Sequence, residues 1–76
     1  MNDIRLNQTL PNGAVVVAFF ETQGDGIVLA RRDHEVHPWV TWAYEPGHND
    51  STTWGHYFDD YNEAWEDFES RVARYK

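Results

Sequence analysis

The chain has 76 residues, with 13 acidic and 6 basic side chains and a formal net charge of −7. Nucleic-acid phosphates and anionic lipids repel such a surface, so the composition argues against direct contact with nucleic acids or membranes. The lack of cysteine excludes disulfides and thiolate metal sites and favours a cytoplasmic location. Four Trp, four Tyr and four Phe supply large apolar side chains that can stabilise one small domain, residues 1–76.

The first half of the chain predicts two strands joined by a hairpin. Residues 1–12 are either a tail or an edge strand, and they lead into the turn sequence "LPNG". "AVVVAFF" (Ala14–Phe20) is apolar at every position, which is typical of a strand that is covered on both sides. "ETQGDG" (Glu21–Gly26) has hairpin-loop chemistry, and "IVLARR" (Ile27–Arg32) predicts the second strand.

Two further strands are predicted in the second half, on either side of a loop at "PGHNDS" (Pro46–Ser51). The third strand is Trp39–Glu45 and the fourth is Thr52–Phe58, where Gly55 indicates a bulge or a close approach by a neighbouring group. Because side chains alternate along a strand, the third strand has two faces. One face carries Val40, Trp42 and Tyr44, and the other carries Trp39, Thr41 and Ala43.

The last segment, residues 60–75, predicts an amphipathic helix that begins at an Asp59 or Asp60 cap. Asp67 and Arg71 form an i,i+4 pair of the favourable orientation. The apolar residues at steps of three and four are Tyr61, Ala64, Trp65, Phe68, Val72 and Tyr75. We therefore predict an α+β fold, with an antiparallel meander of three to four strands over residues 14–58 and the helix packed on one face as a two-layer sandwich.

One helix covers only one face of a sheet, so the second face predicts an exposed aromatic surface. We assign Trp39, Thr41 and Tyr57 to this surface, since Trp and Tyr commonly anchor interfaces. The leading hypothesis is a non-enzymatic protein-binding module that acts through this face and self-associates, so that Trp39→Ala weakens association and leaves the fold intact. Alternatively, the N-terminal ten residues fold back and cover the face.

An acidic surface is predicted on the outer side of the helix. Its members are Asp59, Asp60, Glu63, Glu66, Asp67 and Glu69. The simplest interpretation is a solvated face that maintains solubility. The alternative function is an inhibitor of host defence, in which these acids imitate nucleic-acid phosphates and bind a basic effector or nuclease.

The histidines offer the third alternative, a metal-binding protein or a small hydrolytic enzyme. His34 and His37 are the candidate ligands, but they lack any standard zinc-ligand spacing, so no metal site or cofactor is predicted. His56 is interpreted as a half-buried residue that hydrogen-bonds its neighbours, or as an acid–base group beside Asp59 and Asp60. The chain has no nucleophile-elbow serine and no phosphate-binding glycine loop, which argues against an enzyme.

The segments "HPWVTWAYEP" and "WGHYFDDYNEAWEDFESR" resemble small uncharacterised proteins of actinobacterial genomes, phages and mobile elements. The resemblance covers roughly the second half of the chain and takes the form WGHYF, Asp, then a helix A-x-x-D-F-x-x-R. The matching residues are Val40, Trp42, Trp54 to Phe58, Asp59, Ala64, Asp67, Phe68 and Arg71. It implies an accessory gene of the kind that includes anti-CRISPR and anti-restriction inhibitors, and it carries no residue roles.

Overall fold

The computed structural model describes residues 6–10, 13–33, 35–46 and 48–75, with the side chains of residues 48–54 left out of the description. Four antiparallel strands form one sheet in the order β1-β2-β3-β4, and a single C-terminal helix packs against it. The strands are β1 (Val15–Glu21), β2 (Gly26–Arg31), β3 (Trp39–Glu45) and β4 (His48–Phe58), and the helix is α1 (Tyr61–Ala73). The predicted α+β two-layer fold is confirmed.

The chain connects β1 to β2 by the predicted hairpin. The Thr22 N–H donates to the Asp25 carbonyl at 2.7 Å, and the Asp25 N–H donates to the Thr22 hydroxyl at 3.1 Å. Gly26 opens β2 opposite Glu21. The ring of Tyr44 lies directly over Gly26, because a Cβ at this glycine would sit 2.5 Å from the ring. Gly26 therefore gives Tyr44 the room to lie flat on the sheet.

The predicted loop over residues 46–51 is wrong, because β4 already begins at His48, which pairs with Glu45. This register leaves two residues for the connection, the length of the tightest hairpins. The polar residues after His48 lie in a register shift, because Ala43 pairs with Thr53 and Glu45 with His48, which leaves three more residues on β4 than regular pairing needs. The pairing of β3 with β4 is irregular, with a register shift between Thr41 and Ala43. The bulge predicted near Gly55 lies opposite this shift.

Two apolar clusters form on opposite faces of the sheet. The helix-side cluster has Ile27, Leu29, Ala64, Phe68 and Val72 as its buried members. The opposite cluster contains Leu10, Ala14, Val16, Val28, Ala30, Val40, Trp42 and Tyr44. The alternation predicted for β3 is confirmed, and α1 covers the face that carries Trp39, Thr41 and Ala43.

The helix begins at Asp60, whose extended backbone and carboxylate cap it by accepting the Glu63 N–H at 3.2 Å. Of the predicted apolar stripe, the central residues Ala64, Phe68 and Val72 are buried. The end residues Tyr61 and Tyr75 are 39% and 41% exposed, so Tyr61, which the stripe assigns to the core, lies at the surface instead.

The described part of the N-terminal segment lies beside the start of β1. The Asn7 N–H donates to the Val16 carbonyl, and the Val16 N–H donates to the Gln8 carbonyl, both at 2.9 Å. Leu10 is 3% exposed and joins the cluster on the helix-free face. Residues 6–10 thus form an isolated bridge at the sheet edge, and residues 1–5, 11 and 12 lie outside the described residues.

Candidate functional site

The outer surface of α1 carries exposed acids that begin just before its first turn. Five of the six predicted members are exposed, and we call this set the acidic surface: Asp59, Asp60, Glu63, Glu66 and Glu69. At about 100° per residue, Glu63, Glu66 and Glu69 fall on one side of the helix. Glu66 is at the centre of that side, directly opposite the buried stripe. The helix therefore presents a continuous strip of carboxylates.

Asp67 does not belong to this surface, which corrects its predicted place. Its side chain is 22% exposed and points toward the sheet. The reason is helical periodicity, because position 67 lies three residues after Ala64 and thus on the inner side. The signal was present in the sequence, because the spacing of Asp67 from Ala64 and from Arg71 places it beside the apolar stripe.

Asp67 instead accepts hydrogen bonds from two neighbouring strands. The Thr41 hydroxyl donates to Asp67 Oδ2 at 2.5 Å, and His56 Nδ1 lies 3.0 Å from Oδ2 and 3.1 Å from Oδ1. Thr41 and His56 are direct partners in the β3–β4 pairing, so their side chains emerge side by side beneath the helix. Thr41 is fully buried. A buried hydroxyl requires a partner, and Asp67 provides it.

Arg71 completes this polar network from one helical turn later. Its Nε lies 3.6 Å from Asp67 Oδ2, which confirms the predicted i,i+4 pair, and its Nη2 lies 3.1 Å from His56 Nε2. A guanidinium only donates hydrogen bonds, so Nε2 must accept, and the proton of the neutral imidazole is on Nδ1 facing Asp67. Burial lowers the pKa of Arg71, and the nearby Asp67 carboxylate opposes that shift.

The network links the helix to the sheet through both ring nitrogens of His56. A histidine–aspartate pair acts as a base only when the second ring nitrogen faces a reactant. In this structure His56 Nε2 faces Arg71, so both ring nitrogens have protein partners. His56 is 52% exposed at its side chain and lies away from Asp59, which pairs with a different histidine. The interpretation of His56 as a residue that hydrogen-bonds its neighbours is confirmed.

The structure does not place the three residues of the predicted aromatic surface on one face of the sheet. Thr41 is fully buried beneath α1, and Trp39 is half-buried on that same face, with its ring 4.7 Å from the ring of Tyr61. Tyr57 pairs with Val40 and lies on the opposite face, where its ring meets Trp42 edge-on at 6.5 Å. The register of β4 against β3 decides this separation, because a shift of one residue moves a side chain to the other face.

The helix-free face of the sheet is largely buried where its residues are described. Val16, Val28 and Val40 have no exposed surface, and the large rings of Trp42 and Tyr44 are only 6% and 4% exposed. Trp42 packs against Gly55, where a Cβ would lie 2.8 Å from the indole nitrogen, so the close approach predicted at this glycine is confirmed. Tyr57, 48% exposed, is stacked under the Arg32 guanidinium at 4.7 Å.

Of the two histidines considered as metal ligands, only His37 lies within the described residues. His37 Nδ1 lies 2.5 Å from Asp59 Oδ1, which joins the β2–β3 connection to the residues before the helix. His34 lies outside the described residues. Within the described ranges, no group of three or more His, Asp or Glu side chains is arranged to hold a metal ion.

The chain matches no protein-family model, no curated protein and no solved structure. Among the described residues, α1 is neither long nor apolar enough to cross a membrane. The resemblance of the second half to small actinobacterial and phage proteins therefore stays an expectation from its motifs.

Proposed function

We propose that the protein is a small non-enzymatic binding module that docks a basic protein partner on the acidic surface of α1. The observation that supports this is the inward direction of Arg71. This residue is the first base after Asp59, and at 8% exposure it is withdrawn from the surface. The exposed acids therefore face solvent with no exposed cation among them as far as Ala73.

Two other acids near the helix already have partners within the protein, which leaves the glutamates of the acidic surface as the groups open to a partner. Asp67 is committed to Thr41 and His56, and Asp59 to His37. Glu63, Glu66 and Glu69 have exposed side chains with no ion pair in the part of the chain that the structure describes. Surface acids without an internal partner are free to pair with basic groups on another protein, which steers association more than it adds affinity.

The spacing of the acids favours a second candidate, an inhibitor that imitates a nucleic-acid strand. Five acids lie between residues 59 and 69, and helical rise over these ten steps would spread their four intervals across about 15 Å, or one charge per roughly 4 Å. One strand of DNA carries a charge every roughly 3.4 Å. A basic nuclease or defence effector that binds the phosphate backbone of a nucleic acid is thus a class of partner that the acidic surface fits.

The test compares two charge-matched double variants in pull-downs from a lysate of the source organism. Glu66→Lys/Glu69→Lys alters the acidic surface. Asp25→Lys/Glu45→Lys makes the same change in charge at exposed positions on the hairpin side of the sheet. We expect the wild type and the hairpin variant to retain a basic protein that the helix variant binds at least tenfold more weakly, and that about 0.5 M salt releases.

Retention of the same protein by the helix variant, or retention that is indifferent to salt, would contradict the proposal. Competition with duplex and single-stranded DNA then separates the two candidates. Displacement of the chain by nucleic acid supports phosphate imitation. A complex that DNA leaves intact supports docking at a surface of the partner other than its nucleic-acid site.

A further inference from the structure

A pocket lies at the opposite end of the helix-side face from the Asp60 cap, beneath the last turn of α1. Its volume is about 230 Å³. The residues that line it are Ile27, Ala43, His56, Arg71, Arg74 and Tyr75. We propose that this pocket binds a small organic carboxylate with a branched apolar body. The proposal is independent of the docking function of the acidic surface.

The floor of the pocket is apolar and held by the sheet. Ile27 and Ala43 are direct partners in the β2–β3 pairing, and both belong to the helix-side cluster. Ile27 is 3% exposed, so its position is fixed by packing on the side away from the pocket. A short branched alkyl group placed here would replace water against these two side chains.

The wall of the pocket is cationic, in contrast to the rest of the molecule. Arg71 and Arg74 both contribute to it, and Asp67 is the nearby acid that offsets one of them. Arg74 is exposed and has no ion pair among the described residues. His56 is neutral in the tautomer that the network requires, so the two arginines outnumber the acid at this site.

The partial negative charge of the helix C-terminus opposes an anion at this position, and the side chains of Arg71 and Arg74 offset it. Helix C-termini carry partial negative charge on their last carbonyls. The Arg74 N–H donates to the Arg71 carbonyl at 3.2 Å, and the Tyr75 N–H donates to the Val72 carbonyl at 2.9 Å. These bonds continue the turn for two residues beyond α1, and the side chains of Arg74 and Tyr75 line the pocket.

The ligand class follows from these groups together. A guanidinium fork matches the planar carboxylate and can donate two parallel hydrogen bonds to it. The volume is below the roughly 300–1,000 Å³ of pockets for drug-sized molecules, which selects a small acid. An apolar floor beneath a cationic wall fits a molecule with one carboxylate and a short branched chain, and it disfavours a fully hydrated ion such as phosphate.

The experiment titrates the protein with isovalerate, isovaleramide and inorganic phosphate while amide and methyl NMR spectra are recorded. We expect saturable shifts of the Ile27 and Ala43 methyl signals with isovalerate, with binding by the uncharged amide and by phosphate at least tenfold weaker. Equal binding of isovalerate and its amide, or the lack of any saturable shift at these methyl groups, would overturn the proposal.

Arg74→Gln tests the cationic wall, because this exposed residue can change without disturbing the core. Arg31→Gln is the matched control, since Arg31 is an exposed arginine at the end of β2 that pairs with Asp33. We expect Arg74→Gln to weaken isovalerate binding roughly tenfold and Arg31→Gln to leave it within twofold. Equal effects of the two variants would overturn the assignment, with unchanged thermal unfolding of Arg74→Gln as the check on its fold.

Discussion

Asp67 on α1 and His56 on β4 lie 3.0 Å apart, carboxylate oxygen to ring Nδ1, and Asp67 also accepts the hydroxyl of the buried Thr41. One carboxylate thus joins the helix to two adjacent strands. A helix that rests only on apolar contacts can slide or rotate over the sheet. This network specifies one rotation, because Asp67 reaches Thr41 and His56 only when the side of the helix containing Ala64 and Phe68 faces inward.

Replacement of Asp67 by Ala is expected to destabilise the protein by about 1–3 kcal/mol, because the Thr41 hydroxyl then remains buried without its acceptor. Urea unfolding followed by Trp fluorescence measures the change in the free energy of unfolding. Glu66→Ala is the neighbouring control, and as an exposed substitution it should change stability by no more than about 0.5 kcal/mol.

Equal stabilities of these two variants would show that Asp67 is a surface residue, as the sequence predicts. The further variant Thr41→Val removes the hydroxyl that needs the acceptor. If the network is as described, Asp67→Ala should cost less in the Thr41→Val background than alone, since the two residues are in contact and their effects are not additive.

Trp39→Ala should lower the free energy of unfolding by about 2–3 kcal/mol, somewhat below the roughly 3–5 kcal/mol typical of a fully buried ring. Trp39 is half-buried, contacts the ring of Tyr61 and packs against the helix-side cluster. Tyr57→Ala, on the other face, is the control for loss of an aromatic ring. Light scattering provides the second measurement, because a Trp39→Ala variant with changed solution mass and unchanged stability would place Trp39 at an interface instead.

The contrast between Trp39 and Tyr57 shows where sequence patterns stop being informative. Period-two alternation divides β3 into its two faces, and helical periodicity identifies α1, since both depend on residues that are near in the chain. Which face the helix covers, and which residue of β4 lies opposite Val40, depend on packing between distant segments. Asp67 and Arg71 are a different case, because their i,i+4 spacing predicts the pair and their positions beside Ala64 and Val72 place it on the inner side of the helix. What the sequence does not reveal is that Thr41 and His56 lie beneath them.

The cavity at the helix C-terminus could not be read from the sequence for a related reason. Its floor comes from β2 and β3 and its wall from β4 and α1, so its members are scattered from Ile27 to Tyr75. The available signal was the position of Arg71 and Arg74 in the last turns. That position is also what the helix dipole favours, so the dipole alone explained both residues.

Gly26→Ala and Gly55→Ala should each destabilise the fold by about 1–3 kcal/mol, the range typical of overpacking. A methyl group at Gly26 would lie 2.5 Å from the Tyr44 ring, and one at Gly55 would lie 2.8 Å from the Trp42 indole nitrogen. Tyr44 cannot move aside easily, because its hydroxyl donates to Glu21 at 2.7 Å. Gly24→Ala is the control, since nothing lies within 4 Å of that position. Thermal unfolding of the three variants measures the difference, and a loss at Gly24 equal to the other two would contradict the ring contacts.

Asp60 should be replaceable by Asn but not by Ala. Its carboxylate accepts the Glu63 N–H from an extended backbone conformation, which is the geometry of a helix N-cap. Asn caps as well as Asp, whereas Ala at this position costs about 1 kcal/mol. We therefore expect the free energy of unfolding in urea to be nearly unchanged in Asp60→Asn and about 1 kcal/mol lower in Asp60→Ala. Both variants remove the same negative charge from the acidic surface. Equal loss of stability in the two would therefore mean that Asp60 acts through its charge. Equal retention of stability would mean that Asp60 is not a stabilising cap.

If partner binding weakens equally in the two variants while stability differs, the charge at position 60 serves docking and the hydrogen bond serves the fold.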